Sequence, residues 1–435
     1  MATGPSTPRP ARSANGSSTP PRWWRRRCWC TRRATPGTTA RTCPARSGCT
    51  WGTPRESRST DGAATRSRPA AIEDSPLRRA IQIAWELGGV LPRSVGALNE
   101  SGDWNSLSRR GLRQLGEVAL DELVVTGMTL TGPPPQLPRP LAAYGDAADE
   151  LGGLGIAGAH RDPEPLQVAG IEARSFGALQ FEELSFEHTP ALPRSLLADG
   201  HAGVATARVR LYRRPGEQRP WVVWIHGAGQ GDPMDLMVAR VRRLDALGFN
   251  VALPVQPGHG ARRREWPEYP ARDPLSNVAG TMRVVSEVRA LIRWLANDSA
   301  SVTVSGLSLG SAVAALVSHL EARVGAVALY TPILGLNAMI GLHLGRWGRP
   351  GRSAGEQLLS DTVSAMTSVI DPLATTPVTD RRLIVGAWHD QMAMRSSALA
   401  MHERWGGELH WHDGSHVGQL FSGGVQTATE RFLLG

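Results

Sequence analysis

One short stretch constrains the fold of this chain more than any other. Residues 301–313 read SVTVSGLSLGSAV, in which a β-branched run leads into Gly306-Leu307-Ser308-Leu309-Gly310 and then into small apolar residues suited to a buried helix. A strand, a sharp turn and a helix form the setting that a G-x-S-x-G turn requires. The flanking glycines leave room for a turn that lifts the Ser308 hydroxyl above a helix N-terminus, where developing negative charge is favoured. A strand-to-helix loop without chemistry would read the same way, so the other segments must decide.

The basic character of the chain is confined to its N-terminus. The 435 residues carry a net charge of +9. Residues 1–71 hold fourteen arginines against two acids, so they carry +12 and the remainder carries −3. The remainder therefore gives no electrostatic reason to expect a nucleic-acid partner. All four cysteines also lie in residues 1–71, at a spacing that fits no zinc site, and we expect no metal.

Residues 1–71 are rich in Arg, Ser, Thr, Pro and Gly and show no hydrophobic periodicity. Such a composition buries too little apolar surface to offset the entropy of ordering, so we predict a disordered tail. A basic binding arm and a start codon assigned too early are the alternatives. The cysteine-free remainder needs no disulfides, which suits a cytoplasmic protein. No run of eighteen apolar residues occurs, so we expect no stable membrane insertion.

Order is predicted from about residue 75. Apolar residues recur at helical spacing in 77–87 and 107–125, whereas 137–175 is punctuated by Gly and Pro. Residues 75–175 are therefore predicted to be a helical N-terminal extension followed by an irregular linker. Nothing in these helices indicates their role.

Residues 176–435 are predicted to be an α/β domain, in which strands alternate with helices in a mainly parallel, doubly wound sheet. Alternating patterns predict two antiparallel strands at its start, and continuous apolar runs predict strands covered on both faces. The predicted strands are 179–187, 205–212, 221–225, 249–255, 302–304, 324–330, 383–387 and 408–411, with long helices at 274–295 and 417–434.

Chemistry-bearing residues follow four of these strands, where functional groups of such sheets collect. The loops are His226-Gly227-Ala228-Gly229, Pro257-Gly258-His259-Gly260, the loop with Asp390, and Asp413-Gly414-Ser415-His416. Small residues after the first strand would let backbone N–H groups approach a ligand closely, as an oxyanion hole requires. His259 lies in a tight turn ahead of the serine, which favours a structural role.

Together these motifs resemble the α/β-hydrolase superfamily, in its serine esterase and lipase-like branch. The resemblance covers residues 205–434, about half of the chain, and implies an α/β-hydrolase fold. It implies Ser308 as nucleophile, His416 as general base and Asp390 as the acid that orients the base. It further implies an oxyanion hole formed by Leu309, Ala228 and Gly227, and it implies neither a metal nor a cofactor. Many members have a second glycine after the turn, where this chain has Ser311.

Several alternatives stay open at this stage. His412 competes with His416 as the base, and Asp413 competes with Asp390 as the acid. Residues 333–380 are predicted to form a small cap over the pocket or, equally, a helix that packs on the core. A cap would favour small-molecule esters with an apolar acyl or alcohol part.

The predicted activity is hydrolysis of carboxylic esters through an acyl-enzyme intermediate. A thioesterase, an acyltransferase or a peptidase would use the same three residues, because these activities differ in pocket and acceptor. A non-catalytic binding protein on this fold is a further alternative. The oligomeric state is not indicated.

Overall fold

The computed structural model describes residues 76–100, 102, 104–131, 136–264, 267–297, 299 and 301–435, so the predicted tail lies outside the described residues. The helices in these ranges are Pro76–Gly88 (α1), Val90–Glu100 (α2), Arg109–Thr131 (α3), Gly145–Ala159 (α4), Asp235–Val238 (α5), Val241–Ala246 (α6), Pro274–Leu295 (α7), Leu309–Leu320 (α8), Leu336–Leu344 (α9), Gly348–Leu358 (α10), Asp361–Thr367 (α11), Arg395–Trp405 (α12) and Gly423–Leu434 (α13). The strands are Val168–Phe176 (β1), Leu179–His188 (β2), Ala205–Tyr212 (β3), Trp221–Ile225 (β4), Asn250–Val255 (β5), Val302–Leu307 (β6), Val324–Tyr330 (β7), Arg382–Ala387 (β8) and Glu408–His412 (β9). None of the helices in the described ranges is long and apolar enough to span a bilayer.

The nine strands form one sheet in the order β1-β2-β3-β5-β4-β6-β7-β8-β9. Strands β1 to β3 pair antiparallel, β3 also runs antiparallel to β5, and β4 to β9 are parallel. The exchange of β4 and β5 within an otherwise sequential order is the strand order of the α/β-hydrolase fold. The chain has this fold, with β1 added at the antiparallel edge, and the predicted fold class is confirmed.

Helices cover both faces of the sheet. One apolar core lies between the sheet and α4, α7, α8 and α12, and a second lies between the opposite face and α5, α6 and α13. Every residue of β4, β5 and β6 is buried, which explains why these strands read as continuous apolar runs. The parallel strands end at one edge, so the loops after β4, β6, β7, β8 and β9 lie close together.

The region 137–175, predicted to be irregular, contains α4 and most of β1. Helix α4 contains five glycines, and one of them, Gly155, interrupts it with a φ of 62°. Burial of Ala147, Leu151 and Ile156 in the core compensates for this low intrinsic propensity. Strand β1 is mostly exposed and is held by its backbone pairing with β2. Because it buries no apolar face, it lacks the alternating apolar pattern by which a strand is recognised in a sequence.

Two helical segments frame the edge where the parallel strands end. The insertion between β7 and β8 contains α9, α10 and α11. Helix α3, from the N-terminal extension, contacts the loops after β8 and β9 through polar side chains. The sequence predicted both helical segments but did not place α3 at this edge.

Candidate active site

Ser308 lies at the junction of β6 and α8 in a strained backbone conformation. Its φ is 51° and its ψ is −115°, a region that residues other than glycine rarely occupy. A β-carbon at Gly306 would collide with the carbonyl oxygen of Gly310, and one at Gly310 would collide with the carbonyl oxygen of Ile225. The turn therefore requires glycine on both sides of the serine, for the reason the motif predicted.

Ser311 takes the position where many α/β-hydrolases have a second glycine. Its hydroxyl donates to the carbonyl oxygen of Ser308 at 2.5 Å and accepts from the N–H of Ile333 at 3.0 Å. The sequence suggested only that a small residue is retained here. In the structure this residue connects the serine turn to the first residues of the insertion after β7.

His416 and Asp390 form a buried pair at the ends of β9 and β8. The distance from His416 Nδ1 to Asp390 Oδ2 is 2.8 Å. The other carboxylate oxygen accepts the N–H groups of Met392 and Ala393, both at 2.8 Å. A carboxylate so engaged favours the tautomer of His416 in which Nδ1 carries the proton, which leaves Nε2 as an acceptor.

The two members of this pair shift each other's pKa. Burial alone would lower the pKa of His416, but the charge and hydrogen bond of Asp390, with a contribution from Asp121, raise it above its ordinary value. Burial alone would raise the pKa of Asp390, but the His416 imidazolium and the backbone donors hold it below its ordinary value. The pair therefore stabilises a proton on the imidazole, as a general base requires.

The Nε2 atom of His416 lies 3.5 Å from Thr331 Oγ1, at the end of β7. The preceding residue, Tyr330, accepts the backbone N–H of Ser308 at 2.9 Å. These contacts connect His416, through Thr331 and Tyr330, to the backbone of Ser308. Thr331 is buried and has a φ of 43°, which is strained for a β-branched residue. No motif or periodic pattern in the sequence indicated Thr331.

The loop after β4 lies against Ser308. A β-carbon built on Gly227 would lie 3.3 Å from Ser308 Cβ. The N–H of Gly227, however, donates to Gln230 Oε1 at 2.6 Å, so this predicted oxyanion donor is already engaged within its own loop. Gly227 could therefore donate to an oxyanion only if Gln230 moved away. Ala228, in the same loop, and Leu309, at the start of α8, stay as candidates.

The two other loop histidines have structural partners. His226 Nδ1 donates to the Gly227 carbonyl oxygen at 2.8 Å, and its Nε2 accepts the N–H of Gln256 at 3.1 Å. Burial lowers the pKa of His226 to about 3. His259 Nδ1 donates to the carbonyl oxygen of Pro257 at 2.9 Å, and its ring lies 5.1 Å from that of His226. This arrangement agrees with the structural role expected of His259.

The competing base and acid are both engaged by α3. His412 Nε2 lies 2.9 Å from Glu117 Oε2. Asp413 accepts hydrogen bonds from Arg110, which is bidentate, and from Gln114. The structure thus pairs His416 with Asp390 and directs His412 and Asp413 towards the N-terminal helix.

A cavity of about 330 Å³ lies between α8 and the insertion. Leu309 and Ala312 line it from α8, and apolar side chains of the insertion line it from above, together with a few polar ones such as Asn337 and Ser364. The insertion therefore covers a mostly apolar cavity that begins one residue from Ser308. No group of three potential metal ligands occurs within the part of the chain that the structure describes.

The sequence has uncharacterised relatives and matches no family model. Two uncharacterised proteins, from the CDC 1551 and H37Rv strains of Mycobacterium tuberculosis, are each 30% identical to it over 276 residues. The match covers 60% of this chain and 66% of each relative, so the chain spans just under two thirds of the length of these relatives.

Several solved structures are similar at low identity. Acetyl xylan esterase 1 from Thermoanaerobacterium is 14% identical with a TM-score of 0.45, covering 69% of this chain and 94% of that one. An acetyl xylan esterase from Paenibacillus is 16% identical with a TM-score of 0.43, covering 69% and 96%. A cold-adapted esterase from an Arctic metagenome is 18% identical with a TM-score of 0.39, covering 60% and 97%. The fold assignment rests on the strand order of this chain itself.

Proposed function

We propose that this protein is a serine hydrolase that cleaves carboxylic esters through an acyl-enzyme intermediate. One observation carries the proposal. A strained serine at the β6–α8 turn shares an edge of the sheet with a buried histidine–carboxylate pair. The Nε2 atom of that histidine lies 3.5 Å from Thr331, the residue that follows the acceptor of the Ser308 N–H. A serine, a base and an orienting acid in these positions form the arrangement that activates a hydroxyl for acyl transfer.

In the proposed reaction, His416 Nε2 removes the proton of the Ser308 hydroxyl as its oxygen attacks the ester carbonyl carbon. The N–H groups of Leu309 and Ala228 would stabilise the resulting oxyanion, and Asp390 would stabilise the imidazolium. Cleavage of the carbon–oxygen bond releases the alcohol, which takes the proton from His416. Water, deprotonated by the same nitrogen, then attacks the acyl-enzyme and releases the carboxylic acid and Ser308.

The cavity beside Leu309 supports the proposed substrate class. Its lining is mostly apolar and includes Leu309, the residue after the proposed nucleophile. An apolar acyl or alcohol group would gain about 25 cal/mol for each Å² that it buries there. We therefore propose neutral small-molecule esters with an apolar part. A cytoplasmic location is part of the proposal, supported by the absence of cysteine from residues 72–435.

Labelling with a fluorophosphonate, which captures activated serines, tests the nucleophile. The wild-type protein is expected to label and Ser308→Ala to lose labelling. Ser318→Ala is the matched control, because Ser318 lies on the same helix, is buried and only donates to the Ala315 carbonyl oxygen. Labelling of Ser308→Ala equal to the wild type would refute Ser308 as the nucleophile.

A panel of p-nitrophenyl esters of increasing acyl length then tests the substrate class. The wild-type protein is expected to turn over at least one of them, and His416→Ala to reduce that turnover by about 10⁴-fold or more. A folded His416→Ala protein that retains wild-type turnover would contradict the assignment of the base.

A further inference from the structure

Helix α3 presents one polar face to the loops that carry the proposed acid and base. The residues of that face recur at intervals of three or four positions, as neighbours on one side of a helix do. They are Arg110, Arg113, Gln114, Glu117 and Asp121. Each forms at least one hydrogen bond or ion pair with residues 413–417. A helix from the N-terminal extension therefore supports the C-terminal loop of the sheet.

Asp121 is the most deeply buried member of this face, with no exposed surface. Its Oδ1 accepts the hydroxyl of Ser415 at 2.8 Å and the N–H of Val417 at 2.9 Å. Its Oδ2 accepts the N–H of His416 at 2.8 Å and that of Gln391 at 3.3 Å. Burial and the charge of Asp390 raise the pKa of Asp121, whereas His416 and the backbone N–H donors oppose this shift. All four partners are donors, so the ionised carboxylate, which only accepts, is the form that fits this site.

The loop after β9 is shaped to receive α3. A β-carbon at Gly414 or at Gly418 would collide with the carboxylate of Glu117. Glu117 also accepts the N–H of Ser415 at 3.1 Å. Gly414 and Gly418, which lie on opposite sides of His416 in the sequence, thus allow the Glu117 side chain to approach the backbone of the loop closely.

We propose that Asp121 is a positioning residue for His416, and that α3 is therefore an integral part of the active site. This inference rests on the proposed function of His416 as the base. Asp121 holds the backbone of His416 directly, and through the N–H of Gln391 it also holds the loop that carries Asp390. One buried carboxylate thus sets the spacing between the acid and the base.

Asp121 also contributes charge to the site. The ionisable groups that face His416 are Asp390 from the loop after β8 and Asp121 from α3, while Thr331 after β7 is uncharged. Glu117 lies one residue away, on the N–H of Ser415, and His343 of α9 lies near Asp390. Removal of the negative charge of Asp121 is therefore expected to lower the pKa of His416.

The test compares Asp121→Asn and Asp121→Ala with Glu122→Gln. Glu122 is the matched control because it is the next residue of α3 and is equally buried, yet it pairs with Arg93 and Arg346 and does not touch the His416 loop. Asp121→Asn keeps the shape of the side chain, so a folded variant is available even where Asp121→Ala is unstable.

Hydrogen–deuterium exchange of the segment 413–418 gives the first readout. Asp121→Ala is expected to raise the exchange rate of the His416 and Val417 amides by about tenfold or more, because an amide without its acceptor exchanges as the loop opens. Asp121→Asn is expected to raise it less, and Glu122→Gln to leave it unchanged. Unchanged exchange in both Asp121 variants, or an equal increase in Glu122→Gln, would overturn the proposal.

Steady-state kinetics over a range of pH gives the second readout. Asp121→Asn is expected to reduce kcat by about 10- to 100-fold with KM within twofold, since small displacements of catalytic groups have effects of this size. The acidic limb of its kcat/KM profile is expected to move to lower pH, whereas the limb of Glu122→Gln stays in place. An acidic limb that does not move would contradict the charge contribution.

These readouts separate this inference from the proposed function. The exchange experiment, together with an NMR titration of the His416 imidazole, does not depend on turnover. A wild-type protein that neither labels nor hydrolyses esters would refute the proposed function, while the exchange and titration results would still decide whether Asp121 positions His416.

Discussion

The loops after β4 and β9 each bury a histidine at the same edge of the sheet, and the protein holds the two imidazoles in opposite ways. His226 has backbone partners on both ring nitrogens, and burial lowers its pKa to about 3. His416 is as deeply buried but faces the carboxylates of Asp390 and Asp121, and its pKa is raised. One side chain is fixed in its neutral form, whereas the other is prepared to accept a proton.

This difference shows that burial does not by itself make a catalytic base. Desolvation disfavours the imidazolium at both positions, so only nearby negative charge can reverse its effect. No carboxylate is among the groups that shift the pKa of His226. In contrast, α3 supplies Asp121 and the loop after β8 supplies Asp390 to His416.

Asp390→Asn is expected to reduce kcat/KM by about 10⁴-fold, because the amide no longer stabilises the imidazolium and favours the wrong tautomer. The substitution should also lower the pKa of His416 towards that of His226, which an NMR titration would detect. A folded Asp390→Asn protein within tenfold of wild-type activity would contradict the assignment of the acid.

The two histidines are expected to change the free energy of unfolding with pH in opposite directions. His226 has a folded pKa below its unfolded value, so its contribution is lost as the pH falls from 6.5 towards 3, by about 3 kcal/mol at pH 4. The free energy of unfolding of His226→Gln, measured with denaturant, should therefore fall less on acidification than that of the wild type. His416 has a raised pKa, so its contribution is fully present below the unfolded value and disappears as the pH rises through the folded value. Equal pH dependence of His416→Gln and His226→Gln would contradict the comparison.

The pH profile of the wild-type protein should report His416 and not His226. We expect kcat/KM to fall about tenfold for each pH unit below the raised pKa of His416, as the base becomes protonated. The same limb should persist in His226→Gln. If the limb disappears in this variant, the titrating group is His226 and not His416.

The smallest effect is expected for His259→Gln. His259 forms one hydrogen bond to the carbonyl oxygen of Pro257 and packs against His226, so its loss should cost about 1 kcal/mol of unfolding free energy. Its kcat should stay within about twofold of the wild type, because His259 is not among the proposed catalytic groups. A large loss of activity at unchanged stability would instead give His259 a part in the chemistry.

The parts of the candidate site that the sequence could indicate are those coded locally. Ser308 stands between two glycines in a strand–turn–helix pattern, and the loops after the last two strands follow apolar runs that can be read directly. The sequence left His412 and Asp413 open as alternatives, because a strand end and the loop beyond it cannot be distinguished within a few residues. Only the tertiary contacts of α3 show that these two side chains are engaged elsewhere.

The role of α3 could not be predicted, for a physical reason. Its apolar spacing indicated a helix, but a polar stripe on a helix is typical of a solvated surface. The partners of that stripe lie 270 to 303 residues further along the chain. The available signal was a set of polar residues that recur three or four positions apart on one helical face, namely Arg110, Arg113, Gln114, Glu117 and Asp121. Only the structure shows that this face contacts the loop around His416.

This separation along the chain has a consequence for how the protein acquires activity. The carboxylate of Asp121 leaves the ribosome long before Ser415 to Val417 are synthesised, and closing so long a loop is slow. During synthesis the polar face of α3 therefore lacks its final partners in the loop after β9. The proposed base is aligned only when β9 has joined the sheet. The proposed activity would therefore appear only after residues 415–417 have been synthesised and have reached α3.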